Sequence, residues 1–186
     1  MTYLEQLTNT KPTRAKNMAE GIAPMILQIR KENIKQSLSD METIRHRQDY
    51  VATVNEVMYY DDSKAESVNA TWFTLESIIK PVIWIAEGDN RSADFSDLKA
   101  TAKKNVKVLI CLGKGNLKKT FKNDVNEILE AESIEEAVAM ASRLAQEEDI
   151  VLFSPAGRPA THAESNEQRG NRYIESVKQL ENERHQ

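Results

Sequence analysis

The sequence predicts an α/β fold, in which a mostly parallel sheet with flanking helices is preceded by a helical segment and a β-hairpin. Three runs in the second half of the chain are continuously apolar: 82–86, 106–112 and 150–153. Continuous rather than alternating apolar runs are typical of parallel strands covered on both faces. Helical patterns separate the runs, and this alternation favours an open sheet with right-handed crossovers.

The N-terminal part of the chain predicts a helical segment over residues 1–40. Apolar residues recur there at helical spacing: Ala15, Met18, Ala19, Ile22, Ile26 and Ile29. Such spacing makes one apolar stripe, and Pro24 is expected to kink or restart the helix within it. We expect residues 41–186 to form a second unit, the α/β domain.

The elements between these two parts follow from local signals. Residues 48–54 and 57–60 are rich in β-branched and aromatic residues, so they predict a hairpin with Asn55-Glu56 at its turn. Ser67 is placed to cap a helix that runs to Ile79. Further helices are predicted over 96–103, 116–121, 133–145 and the stretch around 173–180, with a short strand at 126–129.

The bulk composition excludes several classes of function. The net charge is −4 with both signs interleaved, which leaves no broad cationic face for nucleic acid. No apolar run approaches the ~20 residues of a membrane span, and residues 1–10 do not resemble a signal peptide. The single cysteine, Cys111, lies in an apolar run, as a packed thiol would. We therefore expect a cytoplasmic protein with no nucleic-acid or membrane partner.

Ligands of open α/β sheets bind beyond the carboxyl ends of the strands, so the loops there are the place to search for a site. The loop at 113–115 carries Gly-Lys-Gly but does not complete the G-x-x-x-x-G-K-[ST] pattern of a phosphate loop, and a tight turn is the simpler interpretation. The three histidines lie far apart, which predicts no metal site. His162, in a loop, is either solvated or functional.

Seven short motifs become specific in combination. They are YVATVN at 50–55, DSKA at 62–65, NATW at 69–72, VIWI at 82–85, SADF at 92–95, SPA at 154–156 and EQRG at 167–170. In that order and at those separations they resemble the C-terminal domain of the Mur ligase family, in its UDP-N-acetylmuramoylalanine–D-glutamate ligase branch. Residues 29–40 resemble the end of that family's central domain and the following linker. The resemblance covers about 13–180.

The resemblance implies a Rossmann-like domain and a link to peptidoglycan synthesis. The family joins D-glutamate to a UDP-sugar with ATP and magnesium, which its central domain holds. The resemblance therefore implies no catalytic residue, metal or cofactor for these 186 residues in isolation. Asp62 and Lys64 match family residues that face nucleotide and amino acid, and Arg91 stands where the family has a lysine.

Other pocket positions depart from the family pattern. Glu66 replaces a threonine, Pro159 a serine and Asn166 an aromatic residue, while Arg158 and His162 lie in the altered loop. A carboxylate at position 66 about 4 Å from a ligand carboxylate would cost up to about 4 kcal/mol at an effective dielectric near 20. This predicts poor binding of D-glutamate.

Three hypotheses remain. The favoured one is a non-catalytic binding or regulatory module that docks on a Mur ligase or another wall-synthesis protein, or that self-associates through the N-terminal helix. The alternative is one half of a split ATP-dependent amino-acid ligase, with a cationic or polar substrate at Glu66, Arg91, Arg158 and His162. The third is binding of a small anion or nucleotide, without chemistry, through Asp62, Lys64 and Arg91.

Overall fold

The computed structural model describes residues 47–87, 94–113, 115–157 and 164–183. The chain divides into two units, Met1–Ile44 and Arg45–Gln186, and all described residues belong to the second. The helical segment expected over 1–40 lies outside the described residues. The domain boundary expected after residue 40 stays a prediction.

The described unit is built on one six-stranded sheet. Its strands are β1 (Asp49–Val54), β2 (Val57–Asp61), β3 (Val82–Glu87), β4 (Val106–Leu112), β5 (Glu127–Ala131) and β6 (Ile150–Phe153). They are ordered β1-β2-β6-β3-β4-β5, and only β1 with β2 is an antiparallel pair. The mostly parallel α/β sheet is therefore confirmed.

The predicted hairpin is present, but it is part of the main sheet. Its turn residues Asn55 and Glu56 have φ angles of 54° and 63°, the left-handed conformation that a two-residue type I′ turn requires. The second strand, β2, pairs in parallel with β6, so the hairpin forms one edge of the sheet.

Five helices connect or cover the described strands. They are α1 (Val68–Ser77), α2 (Lys99–Asn105, after a 3₁₀ turn at Ser96–Leu98), α3 (Leu117–Phe121), α4 (Ile134–Leu144) and α5 (Asn166–Glu183). Ser67 and Ser133 cap α1 and α4, because their hydroxyls accept from the N–H groups of Ala70 and Glu136 at 3.2 and 3.1 Å. Helix α1 ends two residues before the predicted Ile79, whose side chain is 98% exposed.

The sheet is covered on both faces, which explains its continuous apolar runs. Ile83 and Ile85 of β3 belong to the core beneath α4 and α5, while Val82 and Trp84 of the same strand belong to the core beneath α1, α2 and α3. Successive side chains of a strand point to opposite faces, so both faces need apolar residues. In the described part of the chain no helix has the length and apolar character that a membrane crossing would need.

Candidate functional site

The carboxyl ends of β2, β6 and β3 meet at one edge of the sheet, where the sequence places the candidate site. The N–H of Asp62 donates to the Phe153 carbonyl at 2.8 Å, and that of Ser154 donates to the Ile85 carbonyl at 3.1 Å. These two hydrogen bonds extend the parallel ladders just beyond the strands. They hold Asp62 and Ser154 beside Glu87, the last residue of β3.

The Asp62 carboxylate is fully buried in a group of hydroxyls. Its Oδ2 accepts hydrogen bonds from Thr74 Oγ1 at 2.7 Å and Ser154 Oγ at 2.8 Å. The Ser154 hydroxyl also shares a hydrogen bond of 2.9 Å with Thr71. The other carboxylate oxygen of Asp62, Oδ1, has no hydrogen bond among the described residues. The Arg47 guanidinium lies 3.7 Å from this oxygen. That separation is an ion-pair contact rather than a hydrogen bond.

Burial raises the pKa of Asp62 to about 6, against the opposing effects of the Thr74 hydrogen bond, the Arg47 charge and the Ser154 hydrogen bond. Desolvation disfavours the charged form of a carboxyl group, and here it outweighs all the groups that favour that form. The carboxyl group can therefore exchange a proton near neutral pH. Its oxygens face hydroxyls inside the protein, and a direct ligand contact for Asp62 stays a prediction.

The loop after β2 is held by its own backbone. The Asp61 carboxylate accepts from the Ser63 N–H at 3.0 Å, a short turn typical of aspartate. The N–H groups of Ala65 and Glu66 donate to the carbonyls of Asp62 and Lys64 at 2.8 and 2.9 Å. The Lys64 side chain is half-buried, and within the described residues its ammonium group has no hydrogen-bond or ion-pair partner. Lys64 is therefore presented by a tight turn at the predicted edge.

A second polar group joins this loop to β3 and α5. Arg169, whose side chain is 2% exposed, donates from Nη1 to Glu87 and from Nη2 to the Asn166 side-chain oxygen. The Asn166 amide nitrogen in turn donates to the Glu66 carboxylate. We refer to Glu66, Asn166, Arg169 and Glu87 as the edge network. Two positions that depart from the family pattern, Glu66 and Asn166, are thus direct partners.

Arg169 is not among the site residues predicted from the sequence, although the sequence carries a signal for it. Arg169 lies four residues before Tyr173 and eight before Val177, on the face of α5 that is buried. A charged residue on an apolar helical face needs a partner, since burial of an unpaired charge is costly. Arg47, Thr74 and Ser154 were also missed as partners of Asp62, because nothing in their spacing indicates the contact.

Three of the predicted site residues, Arg91, Arg158 and His162, lie outside the described residues. The altered residue Pro159 does too. Across 47–87, 94–113, 115–157 and 164–183, no cluster of three or more His, Cys, Asp or Glu side chains is arranged to hold a metal ion. Cys111 is buried, and burial raises the pKa of its thiol to about 12, so it is the packed, inert thiol that the sequence predicts.

An open cavity of about 420 Å³ lies apart from the edge network, beside the end of α1 and strands β2 and β6. Its walls are mostly apolar and include Met58, Tyr60, Ile78 and Ile150. Of the predicted site residues that the structure describes, Asp62, Lys64 and Glu66, none lines it. No local sequence pattern predicts this cavity, because its walls come from segments that are far apart in the chain.

Comparison with known sequences identifies the family. The profile of the family described as "Mur ligase, glutamate ligase domain" matches residues 46–157, more than half of the chain. The chain is 39% identical over 169 residues to the UDP-N-acetylmuramoylalanine–D-glutamate ligase of Christiangramia forsetii, covering 89% of this chain and 38% of that protein. It is 33% identical over 166 residues to the ligase of the same name from Salinibacter ruber, covering 88% and 36%. The chain thus spans little more than a third of either relative.

Comparison with solved structures agrees on the fold. The MurF ligase of Thermotoga maritima, in complex with ADP, is similar with a TM-score of 0.55 and 16% identity over 76% of this chain and 32% of that one. A bifunctional folylpolyglutamate synthase/dihydrofolate synthase from Yersinia pestis CO92 is similar with a TM-score of 0.50 and 13% identity, over 75% and 32%. At these identities the likeness concerns the fold alone. The match to the family profile shows that the chain belongs to the Mur ligase family and contains that family's C-terminal glutamate ligase domain, and the observed sheet agrees with this.

Proposed function

We propose that the chain acts in peptidoglycan synthesis as a binding or regulatory module built on a Mur ligase C-terminal domain, and that it does not carry out ligation by itself. The edge network is the observation that carries this proposal. At the carboxyl edge, the Asn166 amide and the Arg169 guanidinium are bonded to the chain's own carboxylates, Glu66 and Glu87. Groups that satisfy one another are less available to a substrate.

The electrostatics of the edge support the same proposal. A ligand carboxylate that approached Asn166 would first have to displace Glu66, and the two negative charges would repel each other at short range. Removing one partner of a buried, hydrogen-bonded group costs about 1–3 kcal/mol, more where a charge is involved. Substrate binding at this position therefore starts with a penalty that an open site would not have.

ATP and magnesium are the cofactors that the family resemblance implies, and the described residues fit them only in part. Lys64 presents an ammonium group that suits a phosphate. The carboxylates of the edge do not suit a magnesium ion: Asp62 is buried among hydroxyls, Glu66 is bonded to Asn166, and Glu87 is paired with Arg169. Magnesium requires oxygen ligands in near-octahedral geometry with access to water. These three carboxylates are therefore poorly placed to hold the ion.

The test is a coupled assay of ADP release with the purified 186-residue chain, D-glutamate and UDP-N-acetylmuramoyl-L-alanine. The chain alone should release no ADP that depends on the amino acid. Added to the D-glutamate ligase of the same organism, it should change kcat/KM in a saturable way. Amino-acid-dependent ADP release by the chain alone would show it to be a ligase and would overturn the proposal.

The split-ligase alternative gives a different result in the same assay. If a second chain carries the phosphate loop, ADP release should require both chains together and should be abolished when either is omitted. That outcome would replace a regulatory role with a catalytic one. If the chain neither binds a wall-synthesis enzyme nor changes the kinetics of one, the proposed role has no support.

A further inference from the structure

We propose that Glu66 is a built-in occupant of an anion site at the start of α5, and that it excludes ligand carboxylates from this edge of the domain. The Glu66 carboxylate reaches across from the β2–α1 loop and accepts a hydrogen bond from Asn166, the first residue of α5. The inference deepens the proposed function, and it rests on it in taking the carboxyl edge as the domain's ligand site.

The start of α5 favours a negative charge. The helix has 18 residues, and the aligned peptide dipoles give its N-terminus a partial positive charge. A capping box joins Ser165 and Gln168 at this end of the helix. Gln168 N–H donates to Ser165 Oγ at 3.2 Å, and Ser165 N–H donates to Gln168 Oε1 at 2.7 Å. The Asn166 side-chain amide adds a donor at this end of the helix, and that donor faces the Glu66 carboxylate.

Arg169 fixes the direction of that donor. A guanidinium can only donate, so the Asn166 atom that faces Arg169 must be the amide oxygen. The amide nitrogen is then directed to the other side, toward Glu66. Arg169 is itself anchored by Glu87 and is 2% exposed, so its position is set by the core. The buried arginine thus acts as a positioning residue, and it orients a donor for a carboxylate that the chain supplies.

The consequence is selectivity by charge. A ligand carboxylate would compete with Glu66 for the Asn166 amide and would meet its negative charge. A ligand of the same shape with a neutral amide in place of the carboxylate would avoid most of that repulsion. The edge is therefore suited to a neutral or cationic amino acid and unsuited to an acidic one, whereas the relatives in Christiangramia forsetii and Salinibacter ruber are named for D-glutamate.

The test is calorimetric titration of D-glutamate and its neutral isostere D-glutamine into the 186-residue chain and five variants. Glu66→Gln and Glu66→Thr should each bind D-glutamate at least about tenfold more tightly than the unaltered chain, equivalent to about 1.4 kcal/mol. Their affinity for D-glutamine should change much less. Glu66→Asp, which keeps the charge, should still exclude D-glutamate, and Glu147→Gln, an equal charge change at an exposed turn, should have no effect.

Two outcomes would overturn the proposal. One is the absence of any gain in folded Glu66→Gln and Glu66→Thr chains, with folding checked by circular dichroism. The other is a gain that persists when Asn166→Ala is added to Glu66→Gln, because the carboxylate would then bind somewhere other than the start of α5. Neither result depends on the effect of the chain on a ligase, so failure here can be distinguished from failure of the proposed function.

Discussion

The buried carboxyl group of Asp62 should make the stability of this domain depend on pH in an unusual direction. Most carboxylates of folded proteins are stabilised in the charged form, so acid destabilises the fold. The pKa of Asp62 is instead raised, from 3.8 to about 6, chiefly by burial. The native state therefore holds this proton more tightly than the unfolded chain does.

The size and sign follow from the same shift. One pKa unit corresponds to about 1.36 kcal/mol, so a rise from 3.8 to about 6 is equivalent to about 3 kcal/mol. Below the unfolded pKa both states are protonated and this contribution to stability is fully present. It is lost as the pH rises through the folded pKa, because the native state must then ionise a group that is 0% exposed.

The comparison that isolates this effect is the unaltered domain against Asp62→Asn. The asparagine oxygen can still accept from Thr74 and Ser154, but the side chain does not titrate. The free energy of unfolding of both proteins would be measured by urea denaturation at a series of values from about pH 4 to about pH 7.5. We expect the stability of the unaltered domain, relative to the variant, to fall by about 2 kcal/mol over that range, because the unfolded carboxyl group is already partly ionised at about pH 4.

Other titrating groups contribute equally to the unaltered domain and to Asp62→Asn, so they cancel in the difference between the two stability curves. The pKa of Glu135 is lowered to about 2, which adds stability as the pH rises toward its unfolded value, but it does so equally in both proteins. Two stability curves that run parallel across the whole range would refute the reasoning. They would mean that Asp62 stays ionised at low cost, with the Arg47 charge rather than burial dominating its environment.

Three further predictions concern single contacts. Trp84→Phe should lower the free energy of unfolding by about 1–3 kcal/mol, since it removes the indole hydrogen bond of 2.7 Å to the buried carbonyl of Ser154; denaturation at neutral pH measures this, and an unchanged midpoint would contradict it. Ser133→Ala should lower the free energy of unfolding, measured by urea denaturation, by about 1 kcal/mol because it removes the N-cap of α4. The same change at an exposed serine that caps no helix should lower it by less. Arg172→Gln should raise the pKa of Glu135 from about 2 toward its ordinary value in a carboxyl NMR titration, while changing stability by less than about 1 kcal/mol because both side chains are partly exposed.

The elements of this fold could be predicted where one local signal decided them. Strands β3, β4 and β6 lie at the three continuous apolar runs, because burial on both faces leaves no polar position in the pattern. The start of α4 follows from Ser133, whose hydroxyl accepts from Glu136 N–H. The Glu136 side chain bonds the N–H of Glu132, one residue before the position that a capping box implies.

The pairing of the strands could not be predicted in the same way. The sequence indicates a hairpin at β1 and β2 from their residue types and turn, but not the strand beside which β2 lies. Its partner, β6, begins at Ile150, which aligns with Met58. Strands this far apart in the sequence pair according to which of their apolar faces are covered in the complete sheet. No local sequence pattern predicts that pairing.

The sequence indicates candidate site residues but not their contacts. It places Asp62 and Glu66 in the loop after β2, and it marks Asn166 as a position that departs from the family pattern. The bonds that define their roles join residues far apart in sequence, as the pairs Ser154–Asp62, Asn166–Glu66 and Arg169–Glu87 show, with separations of 92, 100 and 82 residues. A side chain's availability to a ligand depends on such partners, so it has to be read from the fold.

The contacts of Asp62 change what its presence in the chain implies. Its carboxylate joins the hydroxyl of Thr74 on α1 to that of Ser154 after β6, so it ties three parts of the fold together. An aspartate that does so has a structural reason to be present, whether or not any nucleotide binds. Asp62 is therefore weak support for a nucleotide site, although it matches the family motif. Lys64 differs, because the same turn presents it without a partner among the described residues, and its role in binding a phosphate stays a prediction.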